Sequence, residues 1–128
     1  MPSNKINPKI FLQSYLEDFS RLVKPDDKVV EKLVDVVDLM KSVCKNRNKI
    51  LIFGNGGSAA MASHFSVDIT KNAGLRCLNF NEADLITCFA NDYGYERWVE
   101  KAVDFYGDEG DLIIVISSSG SSKNMING

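Results

Sequence analysis

The stretches Lys49–Ser58 (KILIFGNGGS) and Asp111–Ser122 (DLIIVISSSGSS) decide the fold of this chain. Each is a short, continuous apolar run that leads directly into small polar residues. A continuous run, unlike an alternating one, indicates a strand that is buried on both faces, as in a parallel sheet. Leu75–Phe80 predicts a further strand, and segments with helical periodicity separate the three runs. Strand–helix–strand–helix–strand is typical of an α/β fold with a parallel sheet, which we predict here.

Two helices are predicted before the first strand, after a loose tail at residues 1–6. Asn7 followed by Pro8 is typical of a helix start, because asparagine caps the helix and proline fixes a helical φ. Lys24–Asp26 ends this helix and starts the next, whose apolar stripe over residues 29–43 is wider than one buried face requires. Two interpretations of the stripe stay open: the first helix and the body of the protein cover it, or another subunit does.

The remaining helices are predicted at residues 58–72, 82–90 and 95–106, with a break at Asn91–Gly94, and from about Lys123 onward. Five or six strands are usual in such a sheet, whereas this sequence supplies three, and its last helix is cut within its first turns. We therefore expect a single domain over residues 1–128 that is incomplete at its C-terminus. A helical pair (8–46) would precede an α/β core (49–128).

Composition excludes several classes of function. The chain has 128 residues and a net charge of −2, which gives no reason to expect the basic face with which proteins bind nucleic acid directly. No run approaches the roughly 18 apolar residues of a membrane helix, and residues 1–5 lack the apolar stretch of a secretory signal. Three widely spaced cysteines, Cys44, Cys77 and Cys88, are typical of reduced thiols. We therefore expect a cytoplasmic protein that contacts neither nucleic acid nor a membrane.

Both polar loops follow strand ends, which is where open parallel sheets bind their ligands. In the first loop, glycines let a ligand approach the backbone, and Ser58 lies at a helix start whose N–H groups and dipole attract anions. The second loop offers several hydroxyls and no lysine, which suits a phosphate on a small molecule. Its serines are Ser117, Ser118, Ser119, Ser121 and Ser122.

Two other interpretations of these loops stay open. Glycine and serine also form tight turns and helix caps without binding a ligand. Gly54, Gly56 and Ala59 match the GxGxxA motif of dinucleotide-binding folds, with Glu82 at a plausible distance, although that motif gives no reason for the serine cluster. A P-loop is excluded, because no Gly-Lys-Ser/Thr follows the first loop.

Two acidic residues and the single histidine are further candidates for chemistry. Asp68 lies four residues after His64 and hence on the same helix face. Such a pair can share a proton or bind a metal, although a surface hydrogen bond is the commoner outcome of this spacing. Asn91 and Asp92 interrupt the helical pattern with polar residues, and a cap and turn explains them as well as a binding role does.

Five motifs occur in order along the chain: Gly54–Ala60 (GNGGSAA), His64–Phe65, Phe89–Glu96 (FANDYGYE), Gly110–Asp111 and Ile116–Asn124 (ISSSGSSKN). In this combination, and with two helices ahead of the first strand, the sequence resembles the phosphoheptose isomerases of the sugar isomerase (SIS) superfamily from about residue 10 to the end. The resemblance implies a SIS-type three-layer sandwich, of which this chain holds the first three strands. It also implies an aldose–ketose isomerase that interconverts sedoheptulose 7-phosphate and D-glycero-D-manno-heptose 7-phosphate, for the heptose of bacterial lipopolysaccharide.

The resemblance assigns roles to individual residues. Asp68 or His64 would act as the base that moves a proton through an enediol, and some family members bind zinc through the residues that match this pair. A homotetramer with sites between its subunits, built through the N-terminal helices, is implied as well. The phosphate would be held by Ser117, Ser119 and Ser122, and the sugar hydroxyls by Asn55, Ser58 and Asp92. Gly56 and Ser118 are further substrate-binding candidates.

The sequence departs from the family pattern at two places. The acid one turn after the histidine is normally glutamate, whereas Asp68 is shorter by one methylene. The second catalytic group of the family is a further histidine, and His64 is the only histidine in this chain. Some relatives use the same scaffold as a tetrameric adapter for a replication initiator. A non-catalytic adapter that binds sugar phosphate or the initiator is therefore the alternative function, and an isomerase of another phosphosugar is a third.

Overall fold

The computed structural model describes residues 7–128, and the predicted tail at residues 1–6 lies outside them. The described residues contain six α-helices, three β-strands and a short 3₁₀ turn (Tyr95–Arg97). In chain order the elements are α1 (Pro8–Leu22), α2 (Asp27–Lys45), β1 (Ile50–Gly54), α3 (Gly57–Ala73), β2 (Cys77–Asn79), α4 (Ala83–Tyr93), α5 (Trp98–Tyr106), β3 (Leu112–Ile116) and α6 (Lys123–Asn127).

The chain divides into two compact units, one that ends at Val37 and one that runs from Asp38 to Gly128. The first unit contains α1 and the beginning of α2, and both helices start where the sequence predicts. The Asn7 side chain accepts a hydrogen bond from the Lys9 N–H at 3.0 Å, and the Asp26 carboxylate accepts one from the Val29 N–H at 2.9 Å. Large apolar side chains of this unit are exposed, among them Phe11, Leu16, Leu22, Val30, Leu33 and Val37.

The second unit is built around a parallel sheet with strand order β2-β1-β3. Ile50 is level with Cys77 on one side and with Leu112 on the other, and Gly54 at the end of β1 is level with Ile116 at the end of β3. Every residue of β1 is buried, as the continuous apolar run predicts. The predicted α/β fold with a parallel sheet is confirmed.

Helices pack on both faces of the sheet, so the core has two halves. On one face Phe53 stacks on Phe80, with ring centroids 5.1 Å apart, and meets the edge of Trp98 at 5.9 Å. On the other face Ile50 and Ile52 pack with Ala62 of α3 and with other buried residues, namely Met40 and Cys77. Burial raises the pKa of the Cys77 thiol to about 11, which keeps it protonated and unreactive.

Two expectations about the elements are wrong. The third strand was expected to be buried on both faces, but Ile113 and Val115 are 37% and 44% exposed, because β3 lies at the sheet edge and the face that carries these two side chains is only partly covered. The break predicted over residues 91–94 begins too early: α4 continues through Asn91 and Asp92 to Tyr93, and the break lies at Gly94. Asn91 donates its side-chain N–H to Asp92 at 2.9 Å instead of competing for the backbone, and the helix ends at Gly94, whose φ is +90°.

An ion-pair cluster fixes the amino ends of β1 and β3 side by side. The Asp111 carboxylate is 3% exposed and accepts hydrogen bonds from the Lys49 N–H at 2.9 Å, the Lys49 Nζ at 2.5 Å and the Asp108 N–H at 2.9 Å. Burial alone would raise the pKa of Asp111, but these bonds and one from Asn48 outweigh it and lower the pKa to about 2. The carboxylate is therefore ionised in the folded protein throughout the physiological range.

We predict that Asp111→Asn lowers the free energy of unfolding by about 1.5–3 kcal/mol at neutral pH, as expected when hydrogen bonds to a charged group are lost. An unfolded aspartate titrates near pH 3.9, roughly. The folded pKa is depressed, so the contribution of Asp111 is present above the unfolded pKa and is lost as the pH falls towards about 2. Chemical denaturation between pH 7 and pH 2 measures both effects.

The matched control is Asp108→Asn, because Asp108 pairs with the same Lys49 amine but its side chain is 80% exposed. Its effect should stay below about 1 kcal/mol, as for other exposed ion pairs. Equal stability of wild type and Asp111→Asn at neutral pH would contradict the assigned role of the cluster.

Candidate functional site

The two polar loops begin next to each other at the carboxyl edge of the sheet. β1 ends at Gly54 and β3 at Ile116, and these two residues are register partners. Residues 55–58 therefore leave the sheet beside residues 117–122. The structure brings together the two loops that the sequence singles out, at the edge where ligands bind to open parallel sheets.

Two glycines shape the first loop. A Cβ on Gly54 would lie 2.4 Å from the Ser58 carbonyl oxygen, so only glycine allows the first turn of α3 to pack on the end of β1. Gly56 has a φ of +55°, a conformation that side chains disfavour. The N–H groups of Ser58 and Ala59 donate to the carbonyls of Asn55 and Gly56, at 3.0 Å each. The N–H groups of the two exposed glycines, 56 and 57, therefore remain as donors for an anion at this helix start.

Serine hydroxyls shape the second loop. The Ser117 Oγ accepts a hydrogen bond from the Gly120 N–H at 3.2 Å, and the Ser119 Oγ accepts one from the Ser121 N–H at 3.2 Å. The two hydroxyl oxygens lie 3.5 Å apart. A hydroxyl that accepts from the backbone keeps its own O–H. The loop therefore presents hydroxyl donors in a fixed arrangement, and the turn-forming and phosphate-binding interpretations of these serines are compatible.

The remaining serines differ in their surroundings. Ser118 is exposed, whereas Ser122 is half-buried at the position that precedes α6, and its side chain makes no capping bond. Ser58 is half-buried in the first turn of α3. Each hydroxyl thus lies on one of the two loops that meet at the sheet edge.

A hydrogen-bonded group of three side chains joins the two loops. Asn55, in the first loop, forms a reciprocal amide pair with Asn124 of α6, with N···O distances of 3.0 and 2.9 Å. The Tyr95 hydroxyl donates to the Asn55 Oδ1 at 3.1 Å. Asn124 and Tyr95 each lie in one of the five motifs that carry the resemblance, but neither was predicted to belong to the site. Spacing does not reveal their contacts, because Tyr95 is 40 positions and Asn124 is 69 positions from Asn55.

His64 and Asp68 form their predicted pair on α3. The His64 Nε2 lies 3.3 Å from the Asp68 Oδ2, and both side chains are exposed, at 81% and 51%. Asp68 also accepts a hydrogen bond from Asn72 at 3.3 Å. Along the helix axis His64 lies about 9 Å beyond Ser58, at about 1.5 Å per residue. The pair therefore faces solvent in the middle of the helix that the first loop opens.

Asp92 is not joined to either loop. It lies exposed in the last turn of α4, where it accepts hydrogen bonds from Asn91 at 2.9 Å and from the Cys88 thiol at 3.7 Å. Tyr95, three residues later, is the residue that reaches the first loop. The predicted contact between Asp92 and a sugar stays a prediction.

The zinc site that the resemblance implies can be tested against the ligands present. Zinc sites use three or four protein ligands. Within residues 7–128 there is no group of three or more His, Cys, Asp or Glu side chains that could hold a metal ion. The His64–Asp68 pair supplies two ligands, so it does not make a zinc site by itself.

A cavity of about 620 Å³ lies between β2, α4 and α5, away from the predicted site residues. Its walls are mainly apolar and include Phe80, Phe89 and Tyr106. Two carboxylates, Glu82 and Asp84, also line it. Neither polar loop contributes to it, so the cavity is separate from the candidate site.

The SIS domain profile matches residues 14–128, and the chain belongs to this family. The chain is 36% identical over 120 residues to the phosphoheptose isomerase of Helicobacter pylori (strain P12), an alignment that covers 89% of this chain and 62% of that protein. It is 40% identical over 108 residues to the phosphoheptose isomerase of Fusobacterium nucleatum, with coverages of 80% and 52%. The predicted resemblance is confirmed, and it decides against the dinucleotide-binding alternative.

A solved structure agrees with this assignment. The phosphoheptose isomerase of Neisseria gonorrhoeae superimposes with a TM-score of 0.87 and 32% sequence identity, over 94% of this chain and 66% of that one. The chain thus spans less than two thirds of the length of these relatives.

We predict that Gly54→Ala disrupts the first loop, because its Cβ would overlap the Ser58 carbonyl and the Ala59 nitrogen, which is 2.8 Å away. Both are backbone atoms that move only if the start of α3 moves. The expected result is a loss of stability of about 1–3 kcal/mol, as for other overpacking substitutions. Thermal unfolding measures it.

Gly57→Ala is the matched control, since a Cβ there meets no atom within 4 Å and the residue begins a helix. It should leave the melting temperature nearly unchanged. If Gly54→Ala were as stable as Gly57→Ala, the close approach of α3 to the end of β1 would not limit this position.

Proposed function

We propose that the protein is an aldose–ketose isomerase of a phosphorylated sugar, with sedoheptulose 7-phosphate and D-glycero-D-manno-heptose 7-phosphate as substrate and product. The proposal is carried by one observation, the serine loop after β3 that lies beside the glycine loop after β1 in a chain of this family. The names of the relatives support the choice of sugar. In bacteria this step would serve the synthesis of surface-polysaccharide heptose.

In this proposal the second loop holds the phosphate. Ser117, Ser119 and Ser122 donate their O–H groups to the phosphate oxygens, with Ser118 as a further donor. Hydrogen bonds to a charged acceptor are shorter and stronger than neutral ones, so a few hydroxyls suffice without a lysine. Asn55, Gly56, Ser58 and Asp92 contact the sugar, and the 3.2 Å bonds from the backbone to Ser117 and Ser119 keep the loop ready for binding.

The chemistry proposed for α3 is proton transfer. Asp68 or His64 removes the proton from the carbon next to the carbonyl and returns it to the neighbouring carbon, so that an enediol forms and collapses. Since the two side chains contact each other at 3.3 Å, they can exchange the proton between them. The pair is open to solvent, so the reacting carbons would have to be covered by other parts of the intact protein.

Zinc and further subunits belong to the same proposal. If a metal binds, His64 and Asp68 are the residues of this chain that would hold it, and it would polarise the sugar oxygens. The exposed apolar faces of α1 and α2 support a homo-oligomer, for which we propose a tetramer. No helix among residues 7–128 is long and apolar enough to cross a bilayer. A cytoplasmic location is part of the proposal.

We predict that Ser119→Ala weakens sugar-phosphate binding by about 1–3 kcal/mol, as expected for a lost hydrogen bond to a charged group. Titration calorimetry with sedoheptulose 7-phosphate measures the change. Ser121→Ala lies in the same loop but outside the proposed phosphate contacts, and should change the affinity less. Equal affinities of wild type and Ser119→Ala would place the phosphate elsewhere.

We predict that the intact protein converts sedoheptulose 7-phosphate and that Asp68→Ala reduces kcat at least about a hundredfold, the lower end of what a general base contributes. Asp68→Glu, which supplies the length of the family acid, should retain activity. Asp104→Ala removes an exposed helical carboxylate on α5 and serves as the control. The same assay with and without a chelator tests the proposed metal.

The alternative function is a non-catalytic adapter that binds a sugar phosphate or a replication initiator. The observation in its favour is Asp68 itself, since a misplacement of about 1 Å can reduce a rate a hundredfold. Tight binding of sedoheptulose 7-phosphate without turnover, in wild type and Asp68→Glu alike, would decide for the adapter.

A further inference from the structure

The amide of Asn55 has little capacity left for a ligand. A primary amide offers two N–H donors and two acceptor lone pairs. The Asn55 Oδ1 accepts from the Asn124 Nδ2 at 2.9 Å and from the Tyr95 hydroxyl at 3.1 Å, so both lone pairs are used. One N–H is donated to the Asn124 Oδ1 at 3.0 Å. What remains is one N–H, so Asn55 can donate one hydrogen bond to a ligand and can accept none.

The partner of this amide is buried. Asn124 is 3% exposed, so its polar atoms lack access to water and depend on the pair with Asn55. A buried polar group that loses its hydrogen-bond partner destabilises the fold. The folded protein therefore keeps the two amides in the one arrangement that pairs them. Asn124 lies two residues after Ser122 at the end of the serine loop, whereas Asn55 belongs to the glycine loop. The pair therefore sets the distance between the two loops.

Met125 anchors α6 in the core, where it packs with Trp98 and Val99, but the other polar contacts of α6 are weaker than the amide pair. Lys123 pairs with Glu96 at 3.3 Å, and Asn127 donates to the Glu96 carbonyl at 2.9 Å. Lys123 and Glu96 are 74% and 60% exposed, and Asn127 is exposed as well, so water competes for these bonds. They attach α6 to the 3₁₀ turn without touching the glycine loop.

We propose that Asn124 and Tyr95 are positioning residues, which orient the Asn55 amide and hold the glycine loop and the serine loop at the spacing that a sugar phosphate spans. Neither residue needs to touch the ligand. Asn55 then contacts the sugar only through its remaining N–H, towards an oxygen that accepts. The inference rests on the proposed function for the identity of the ligand, but the state of the loops can be measured without one.

Substitution at Asn124 tests the role in binding. Asn124→Ala should weaken the affinity for sedoheptulose 7-phosphate about tenfold or more, which corresponds to about 1.4 kcal/mol. Asn127→Ala removes the same kind of side chain from the same helix, but leaves the amide pair intact, and should change the affinity less than about threefold. Tyr95→Phe removes one of the two hydrogen bonds to the Asn55 Oδ1, from an exposed position. Its effect on affinity should lie between those of Asn124→Ala and Asn127→Ala.

A double-mutant cycle separates positioning from general destabilisation. If Asn124 acts through Asn55, then Asn124→Ala should weaken binding by less than about twofold when introduced into Asn55→Ala. Additive effects of the two substitutions would overturn the proposal. Asn124→Asp keeps the shape and still accepts from Asn55 but cannot donate back, and it replaces Asn124→Ala in the cycle if the alanine variant does not fold.

Hydrogen exchange supplies the measurement that needs no ligand. Backbone amides of residues 55–60 should exchange faster in Asn124→Ala than in Asn127→Ala, and unchanged exchange would overturn the positioning role. If the wild-type protein neither binds nor converts the sugar phosphate, the proposed function is contradicted. The exchange rates still test the positioning role of Asn124 in that case. A wild type that binds, with an Asn124→Ala variant of equal affinity and exchange, would contradict the positioning alone.

Discussion

The parallel pairing of β1 with β3 is the constraint on which the candidate site depends. β1 is buried along its whole length, so a one-residue shift of its register with β3 would exchange the side chains that pack into the two halves of the core. The buried Asp111 carboxylate fixes the same two strands at their amino ends through its bonds to Lys49. With both strands fixed, the places where they end are fixed too, and the two polar loops start beside each other. The sheet thus brings the two loops together, and contacts within and between the loops set their detailed arrangement.

The loops are rigid for local reasons. Gly54 lets α3 pack on the end of β1, and the serine oxygens accept from the backbone of their own loop. The reciprocal amides of Asn55 and Asn124 then join one loop to the helix that follows the other. Binding a small anion to such a preformed arrangement requires little ordering of the protein, which favours affinity. The His64–Asp68 pair differs, because it faces solvent and is not held by either loop.

The sequence predicts the parts of this molecule that depend on local patterns. Continuous apolar runs mark β1 and β3, Asn7-Pro8 marks the start of α1, and small polar residues mark the two loops. The break predicted over residues 91–94 begins later than expected, at Gly94, because the Asn91 side chain bonds to Asp92 and does not compete for the helix backbone. The pairing of Asn55 with Asn124 could not be predicted from spacing, since 69 positions separate them and either amide alone resembles a turn residue. The family resemblance named Asn55 but did not show how its amide is used.

The edge position of β3 makes this chain prone to aggregation. Natural sheet edges resist pairing with other chains by carrying charges, prolines or bulges. β3 is the run LIIVI, with no charge or proline, and its side chains Ile113 and Val115 are partly exposed on one face of the sheet. Among residues 7–128 no strand pairs with its outer edge. An apolar strand with free backbone groups is a template for intermolecular sheets, so aggregation through β3 is the failure to guard against whenever this edge is left uncovered.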